Sequence, residues 1–340
     1  MLVEINHPAQ VHKLKNLIFK LREHNNVIVM SRDKECTVQL LNDYGIKHHV
    51  VSKQRKAKLF LAWELFLRSF FALVYIIKYR PKYMFGFSAI NLCLLGKLFG
   101  IKTILLADTE DAGWISRLTF PFAWKIVIPE TFKRSFPGRE LRFKGTHELS
   151  YLIDFKPDQS VYSLLKIYPA DKFVVLRFVS WQAVHDVSEK GLVTEQKKRL
   201  IELLEKNGFK VFISAEGELF DDFARYKIAI PPSKIHHAMY YAELFIGDSQ
   251  SMATEAALLG TPSIRYSSLV GKMHGLGQYN ELQEKKLVYS VNNSEEFSKI
   301  VQMVVSLKNR KKIWQKRKDD YLKDKINPAD LVMDLMVKGK

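Results

Sequence analysis

From Gly247 to Pro262 the chain reads GDSQSMATEAALLGTP, directly after the apolar run Leu244-Phe245-Ile246. That run reads as a buried strand. Behind it, Met252, Ala256 and Leu259 recur at helical spacing. Asp248, Ser249 and Ser251 fall where the first backbone N–H groups of the helix lack partners, so the helix start is both capped and open to an anion. Gly260 and Pro262 stop the helix, and Ser263-Ile264 begins another strand. Strand, polar loop, helix start and strand in this order can hold a diphosphate, and Glu255, one turn further on, is within reach of a ribose hydroxyl. Taken alone, Asp248 and the serines are explained more simply as caps of the helix; an anion site needs support from the rest of the chain.

The same alternation runs through most of the sequence. Strands are expected at Leu2–Ile5, Val27–Met30, His49–Val51, Tyr83–Phe85, Thr103–Leu106 and Lys125–Ile128. Helices are expected at Val11–His24, Lys34–Tyr44 and Ala89–Phe99. Between Phe132 and Asp158 the periodicity breaks down around Pro137, Gly138, Gly145 and Pro157, which reads as a connection between domains. Alternation restarts with strands Phe173–Leu176, Val211–Ser214 and Leu244–Ile246 and helices Glu195–Lys206 and Lys234–Tyr241. A chain of 340 residues usually makes two domains. Two successive α/β domains, at 1–150 and 151–340, each imply a parallel sheet with helices on both faces and an active site in a central cleft at the strand C-termini.

Net charge is +17, which implies an anionic partner: nucleic acid, an anionic membrane surface or phosphorylated substrates. The basic residues are dispersed along the chain with no basic-aromatic recognition module, which disfavours nucleic acid. The one dense stretch, Lys308–Lys318, reads as a solvated helix face. Cys36 and Cys93 lack metal-type spacing and read as reduced thiols of a cytosolic protein. No signal peptide is visible, since Leu2-Val3-Glu4-Ile5 is too short and too acidic for one. Leu59–Ile77, LFLAWELFLRSFFALVYII, approaches the length of a membrane span. Glu64 and Arg68 interrupt it at the spacing of an intrahelical ion pair and argue against a span. Trp63, Phe66, Phe70 and Phe71 beside basic flanks suit a helix lying on an anionic bilayer, and a core helix packed on a sheet suits them equally.

The strand ends supply the candidate chemistry. The first gives His7 and Gln10, with His12 at the start of the next helix; histidines there more often cap than catalyse. Ala107-Asp108-Thr109-Glu110-Asp111 clusters three carboxylates, and crowding like charges makes a general acid or base. Capping by Asp108 in a solvated acidic turn is the equal alternative. Arg177, Ser180, His185 and Asp186 follow another strand, with arginine suited to phosphate and histidine to proton transfer. Ser214-Ala215-Glu216-Gly217 ends the next.

In this order the motifs resemble the DUF354 family, a GT-B-type group of archaea and bacteria. The resemblance is carried by Asn6-His7-Pro8-Ala9-Gln10-Val11-His12, Ser31-Arg32-Asp33, Asp108-Thr109-Glu110, Lys144-Gly145-Thr146-His147-Glu148-Leu149, Leu176–Asp186, and Gly247–Ser251 through Pro262. It covers the chain to Tyr266. It implies a GT-B fold, with an N-terminal Rossmann-like acceptor domain and a C-terminal nucleotide-sugar domain whose last helix packs back on the first. The Asp248–Glu255 loop is similar to the donor site of UDP-GlcNAc 2-epimerases and of the lipid-linked GlcNAc transferase of murein synthesis. By that likeness Ser249, Gln250, Ser251 and Glu255 contact the nucleotide-sugar, with Arg177, Ser180 and Asp248 beside them. Asp108–Gly113 is similar to an epimerase segment carrying a catalytic glutamate, here Glu110, and Arg177–Asp186 takes the place of a loop carrying a catalytic histidine, here His185. The resemblance departs at Gly86-Phe87-Ser88-Ala89, where epimerases place a catalytic aspartate and this chain has no carboxylate.

The expected function is therefore a nucleotide-sugar-dependent glycosyltransferase acting on a cell-envelope glycan or its lipid-linked acceptor, cytoplasmic or peripheral on the inner membrane face. A UDP-GlcNAc 2-epimerase-like enzyme is the alternative, and a basic nucleic-acid-binding protein a second. Asp108 or Glu110 is expected to face His185 across the cleft and to include the catalytic base. No cofactor and no metal ion is expected; the nucleotide-sugar is substrate.

Overall fold

The computed structural model describes residues 1–55, 59–87, 89–108, 119–178, 192–215, 219, 221–267 and 277–338. The chain divides into two compact units. One comprises Met1–Ile153, Gly275–Gln278 and Asp324–Lys340, the other Asp154–His274 and Tyr279–Lys323.

The first unit is built on seven strands: β1 (Leu2–Ile5), β2 (Ile28–Asp33), β3 (His49–Lys53), β4 (Tyr83–Phe87), β5 (Lys102–Leu106), β6 (Lys125–Pro129) and β7 (Glu140–Phe143). They run in the order β3-β2-β1-β4-β5-β6-β7, every pairing parallel. Parallel strands are covered on both faces, and their side chains alternate between two cores. Val3, Ile5, Phe85 and Leu106 join one core, packed by α1 (Pro8–Arg22), α2 (Thr37–Asp43) and the helix Pro328–Lys338 through Leu14, Leu41 and Val332. Leu2, Met84 and Leu105 join the other, packed by α3 (Leu59–Tyr79) and α4 (Ile90–Phe99) through Ala72, Ile76, Leu92 and Cys93. The helix Pro328–Lys338 is also tied to α1 by an ion pair from Lys20 to Asp330.

The second unit has five parallel strands: β8 (Phe173–Arg177), β9 (Lys210–Ser214), β10 (Leu244–Gly247), β11 (Ser263–Tyr266) and β12 (Val288–Val291), in the order β12-β11-β10-β8-β9. β8 and β10 are buried at every residue, as an unbroken apolar run at the sheet centre requires.

Three expectations are corrected. The stretch 132–158 is more than a connection: it holds β7, paired to β6 from Ile126–Glu140 to Pro129–Phe143, and the helix Leu149–Leu152. β7 is an edge strand with only Phe143 fully buried, so it has no apolar run to read. Glu64 and Arg68 do not serve each other. Glu64 meets Arg32 at 2.5 Å and Arg68 meets Glu4 at 3.6 Å, so partners from β1 and β2 displace the intrahelical pair. Lys308–Lys318 is not merely a solvated face either. Arg310 is buried, with its guanidinium on the Val304 and Val305 carbonyls and 2.7 Å from Glu243.

Lys311 beside it donates to the carbonyls of Tyr240 (2.6 Å) and Ala242 (2.9 Å) and to the Thr261 hydroxyl (2.8 Å). Those carbonyls end the helix Ile235–Tyr241 and have no continuing turn to pair with. Lys311→Met should therefore lower the unfolding free energy by about 2 kcal/mol, read as a shifted urea midpoint at unchanged slope. An unchanged midpoint would mean water replaces the ammonium without loss.

Candidate functional site

In an open parallel sheet, ligands gather beyond the C-terminal strand ends where the strand order reverses. In the first unit the reversal lies between β1 and β4. β1 runs into Asn6-His7 there, β4 ends at Phe87, and neighbouring β5 runs into Ala107-Asp108. His7 caps α1, its Nδ1 accepting the Ala9 N–H at 3.2 Å. The proton of the neutral ring then sits on Nε2, which is 3.8 Å from Glu35. Burial, with Lys34 and Lys13 adding to it, holds the imidazole below its ordinary pKa, while Glu35 and Asp108 oppose the shift. Gln10 closes the same turn, its side-chain carbonyl accepting the Asn6 N–H at 2.7 Å. His12 is buried, bonded to the Tyr44 hydroxyl at 3.1 Å and stacked on Tyr151.

Asp108 sits over a buried cluster. Lys13, on the inner side of α1, reaches Asp108 at 2.5 Å and Glu148 at 3.0 Å. Asp108 thus has an ammonium beside it, while Glu110 and Asp111, the other carboxylates of its cluster, lie outside the described residues. Glu148 is 1% exposed. Next to it, His147 donates from Nε2 to the Ala107 carbonyl at 3.1 Å, which pins the backbone that carries Asp108. The ring lies between Phe87 and Phe143 and burial lowers its pKa, so it stays neutral. Gly145, at φ +121, makes the turn that delivers these two residues; a Cβ there would lie 2.5 Å from Leu149. Lys13, His147 and Glu148 escaped the sequence reading as site residues, although the last two lie inside a motif it singled out.

In the second unit the reversal lies between β8 and β10, at Arg177 and Gly247-Asp248. The two strand ends touch: the Asp248 N–H donates to the Arg177 carbonyl at 3.0 Å, and a Cβ on Gly247 would lie 2.2 Å from the same oxygen. Only glycine allows that approach. Ser249 caps the helix Gln250–Leu258, its hydroxyl accepting the Met252 N–H at 3.4 Å. Ser251 occupies the first turn, whose amides a helix cannot pair by itself. Gln250 has a buried Nε2 with no hydrogen-bond partner among the described residues. Glu255 is 4% exposed, its carboxylate 3.2 Å from Nε2 of the buried His236.

Three cations surround this helix start, all of them buried: Arg177 at the end of β8, Arg265 in β11, and Lys197 in the helix Thr194–Lys206. Burial pushes the Lys197 ammonium and the Arg265 guanidinium below their ordinary pKa values, and Asp248 pulls both back. Arg265 lies over the Tyr279 ring, and its Nε has no hydrogen-bond partner among the described residues. Asp248 thus lies among three buried cations. A bound anion suits such a cluster, since buried cations are stabilised by nearby negative charge. The sequence reading missed Lys197, Arg265 and His236. Glu110, Ser180, His185 and Glu216 lie outside the described residues.

The chain matches the family described as a protein of unknown function, DUF354, over residues 1–335, and it belongs to that family. Curated proteins give no match. Among solved structures, the chain is similar to UDP-GlcNAc 2-epimerase from Neisseria meningitidis bound to UDP-GlcNAc, with TM-score 0.67, 14% identity and 99% of each chain covered. It is similar to the UDP-GlcNAc 2-epimerase of Methanocaldococcus jannaschii, with TM-score 0.67, 13% identity and 99% of each chain covered. The spinosyn rhamnosyltransferase SpnG complexed with thymidine diphosphate gives TM-score 0.64, 14% identity and coverage of 98% of this chain and 99% of that one. At these identities the likeness shows the fold, which is α/β of GT-B type with two Rossmann-like units, shared by glycosyltransferases and UDP-GlcNAc 2-epimerases.

Proposed function

With membership of the DUF354 family as premise, we propose that this chain is a nucleotide-sugar-dependent glycosyltransferase of cell-envelope glycan or glycolipid synthesis. The observation that carries the reading is the cluster of buried cations, Arg177, Lys197 and Arg265, around the helix start at Ser249–Ser251. A sugar diphosphate matches it in charge, the helix amides offer donors to phosphate oxygens, and Gln250 offers its unpaired Nε2. Glu255, braced by His236, is assigned to the ribose hydroxyls. Similar solved structures hold UDP-GlcNAc and thymidine diphosphate, in keeping with a diphosphate-linked ligand.

Asp108 is the base in this reading, with Lys13 beneath it keeping the carboxylate in place. It takes the proton of the acceptor hydroxyl, whose oxygen forms the new bond to C1 of the sugar as the bond from C1 to the diphosphate breaks. His7 serves as a donor through Nε2–H, since its Nδ1 is committed to the Ala9 amide. Transfer is preferred to epimerisation because β4 ends in Gly86-Phe87, and Phe87 is packed against His147 where an epimerase would need a carboxylate. The acceptor is a lipid-linked glycan on the inner face of the cytoplasmic membrane.

A thermal-shift panel of UDP-, GDP-, CMP- and dTDP-sugars tests the donor site. A ligand at a hundred times its dissociation constant adds about 2.7 kcal/mol of stability. Arg265→Ala should weaken the selected ligand by about 1.5–3 kcal/mol, because a charge-assisted contact to phosphate is lost. No shift with any sugar nucleotide, or an Arg265→Ala protein that binds as tightly as the parent, would reject the site. A C2-inverted sugar released without acceptor would replace transfer by epimerisation.

A further inference from the structure

α3 has its polarity reversed for a helix facing water. Its inward stripe, Glu64, Arg68, Ala72 and Ile76, carries both of its mid-helix charges. Its outward stripe is Trp63, Phe66, Phe70, Val74 and Ile77, all exposed, with Phe66 at 57% and Ile77 at 62%. Helices on the surface of a water-soluble domain put apolar residues inward and charges outward, and contiguous apolar surface of this kind marks a contact. The inward charges are satisfied by the sheet: Glu64 by Arg32 and by the Arg55 backbone N–H at 3.0 Å, and Arg68 by Glu4. α4 packs beside α3 and exposes Leu94 and Leu98.

The charge around this apolar face has one sign. Between Lys53 and Lys102, Glu64 is the only acidic residue, against ten lysines and arginines. Glu64 is buried, so the exposed charges of this segment, among the described residues, are cations. Arg55 lies over the Phe60 ring at 4.7 Å and Lys78 over Tyr79 at 5.1 Å, which sets cations at the aromatic rim.

We propose that the outer face of α3, with Leu94 and Leu98 of α4, docks into the headgroup–acyl boundary of an anionic phospholipid bilayer, with α3 lying along the surface. A helix of 21 residues lays about 31 Å of length on the membrane. Apolar aromatic residues enter the boundary while lysines and arginines meet acidic headgroups. A flat orientation follows from the inward pairs: turning α3 across the bilayer would strip Glu64 from Arg32 and Arg68 from Glu4. Charge also decides against a second copy of this chain as the occupant, since two such basic borders repel one another.

Flotation of the full chain with phosphatidylcholine vesicles, alone and with added phosphatidylglycerol, tests the proposal. Binding should require phosphatidylglycerol and weaken at high salt. Phe66→Glu with Phe70→Glu should lower the bound fraction on the order of tenfold or more, and so should Lys78→Glu with Arg80→Glu and Lys82→Glu. These side chains are exposed, so thermal melts by circular dichroism should match the parent. Quenching of tryptophan fluorescence by brominated lipid should be reduced in Trp63→Phe. Absence of binding to acidic vesicles would overturn the proposal, as would binding indifferent to the Phe66 and Phe70 changes. So would a dimer in solution that those changes dissolve. The inference stands apart from sugar transfer: Arg265→Ala should leave flotation intact, and Phe66→Glu with Phe70→Glu should leave sugar-nucleotide binding intact.

Discussion

Replacing Lys13 with methionine should cost about 3–5 kcal/mol of stability, the typical penalty for removing one partner of a buried ion pair. The side chain is 5% exposed and its ammonium lies 2.5 Å from Asp108 and 3.0 Å from Glu148. Asp108 is 23% exposed and can turn to water, whereas Glu148 at 1% cannot. Glu148 Oε2 already has no hydrogen-bond partner among the described residues, so without Lys13 the carboxylate loses its compensating charge. Methionine keeps the length of the stem and isolates the charge effect. Urea unfolding of the single and double variants separates the contributions. Lys13→Met with Glu148→Gln should lose less stability than the sum of the single changes, because the second change removes the charge that the first strands. A Lys13→Met protein within 1 kcal/mol of the parent, on the order of an exposed substitution, would show that the cluster opens to water.

Burial on both faces made several strands legible, although the edge strands β3 and β9 were legible as well. Phe173–Leu176 and Leu244–Ile246 are unbroken apolar runs because each lies inside a sheet, covered above and below. The edge strands β7 and β12 offer no such run. Both are half-polar, and neither was legible. The helix start at Ser249 could be read because capping is local, decided by residues within one turn. Lys13 could not, for the opposite reason. In α1 it is one lysine among several, and its partners lie 95 positions away at Asp108 and further still at Glu148. Arg265 did leave a trace. An arginine inside the buried strand Ser263–Tyr266 breaks the apolar pattern, and a charge that breaks a buried strand requires a compensating partner or ligand. Glu64 and Arg68 show a limit of spacing rules: the interval suited an intrahelical pair, yet Arg32 and Glu4 from the sheet took both charges into a drier place.

Asp108→Asn should lower turnover by about 10²–10⁴-fold, the usual worth of a general base. The readout is release of nucleoside diphosphate from the sugar nucleotide that the thermal-shift panel selects. Asparagine keeps the shape of Asp108 and can still accept from Lys13, but it cannot take a proton. The variant should bind the sugar nucleotide as the parent does, since the cations assigned to the diphosphate belong to the second unit. A fall in affinity with unchanged turnover would reassign Asp108 to positioning. The pH dependence carries a second check through His7. Burial, Lys34 and Lys13 hold its imidazole below the ordinary histidine range, against the pull of Glu35 and Asp108. The unfolded chain therefore takes up the proton first as pH falls. The contribution of neutral His7 to stability is full above the unfolded histidine pKa and is lost as pH falls through the lower folded value. Protonation also ends the bond from the Ala9 amide to Nδ1, so the cap of α1 and activity should fail together. Nuclear magnetic resonance titration of the His7 ring should give a midpoint below that of a free histidine and coincident with the acid limb of the rate profile. A midpoint at or above the free value would mean that neither the cap nor the burial around His7 survives in solution, and with them would go the geometry that places Asp108 beside it.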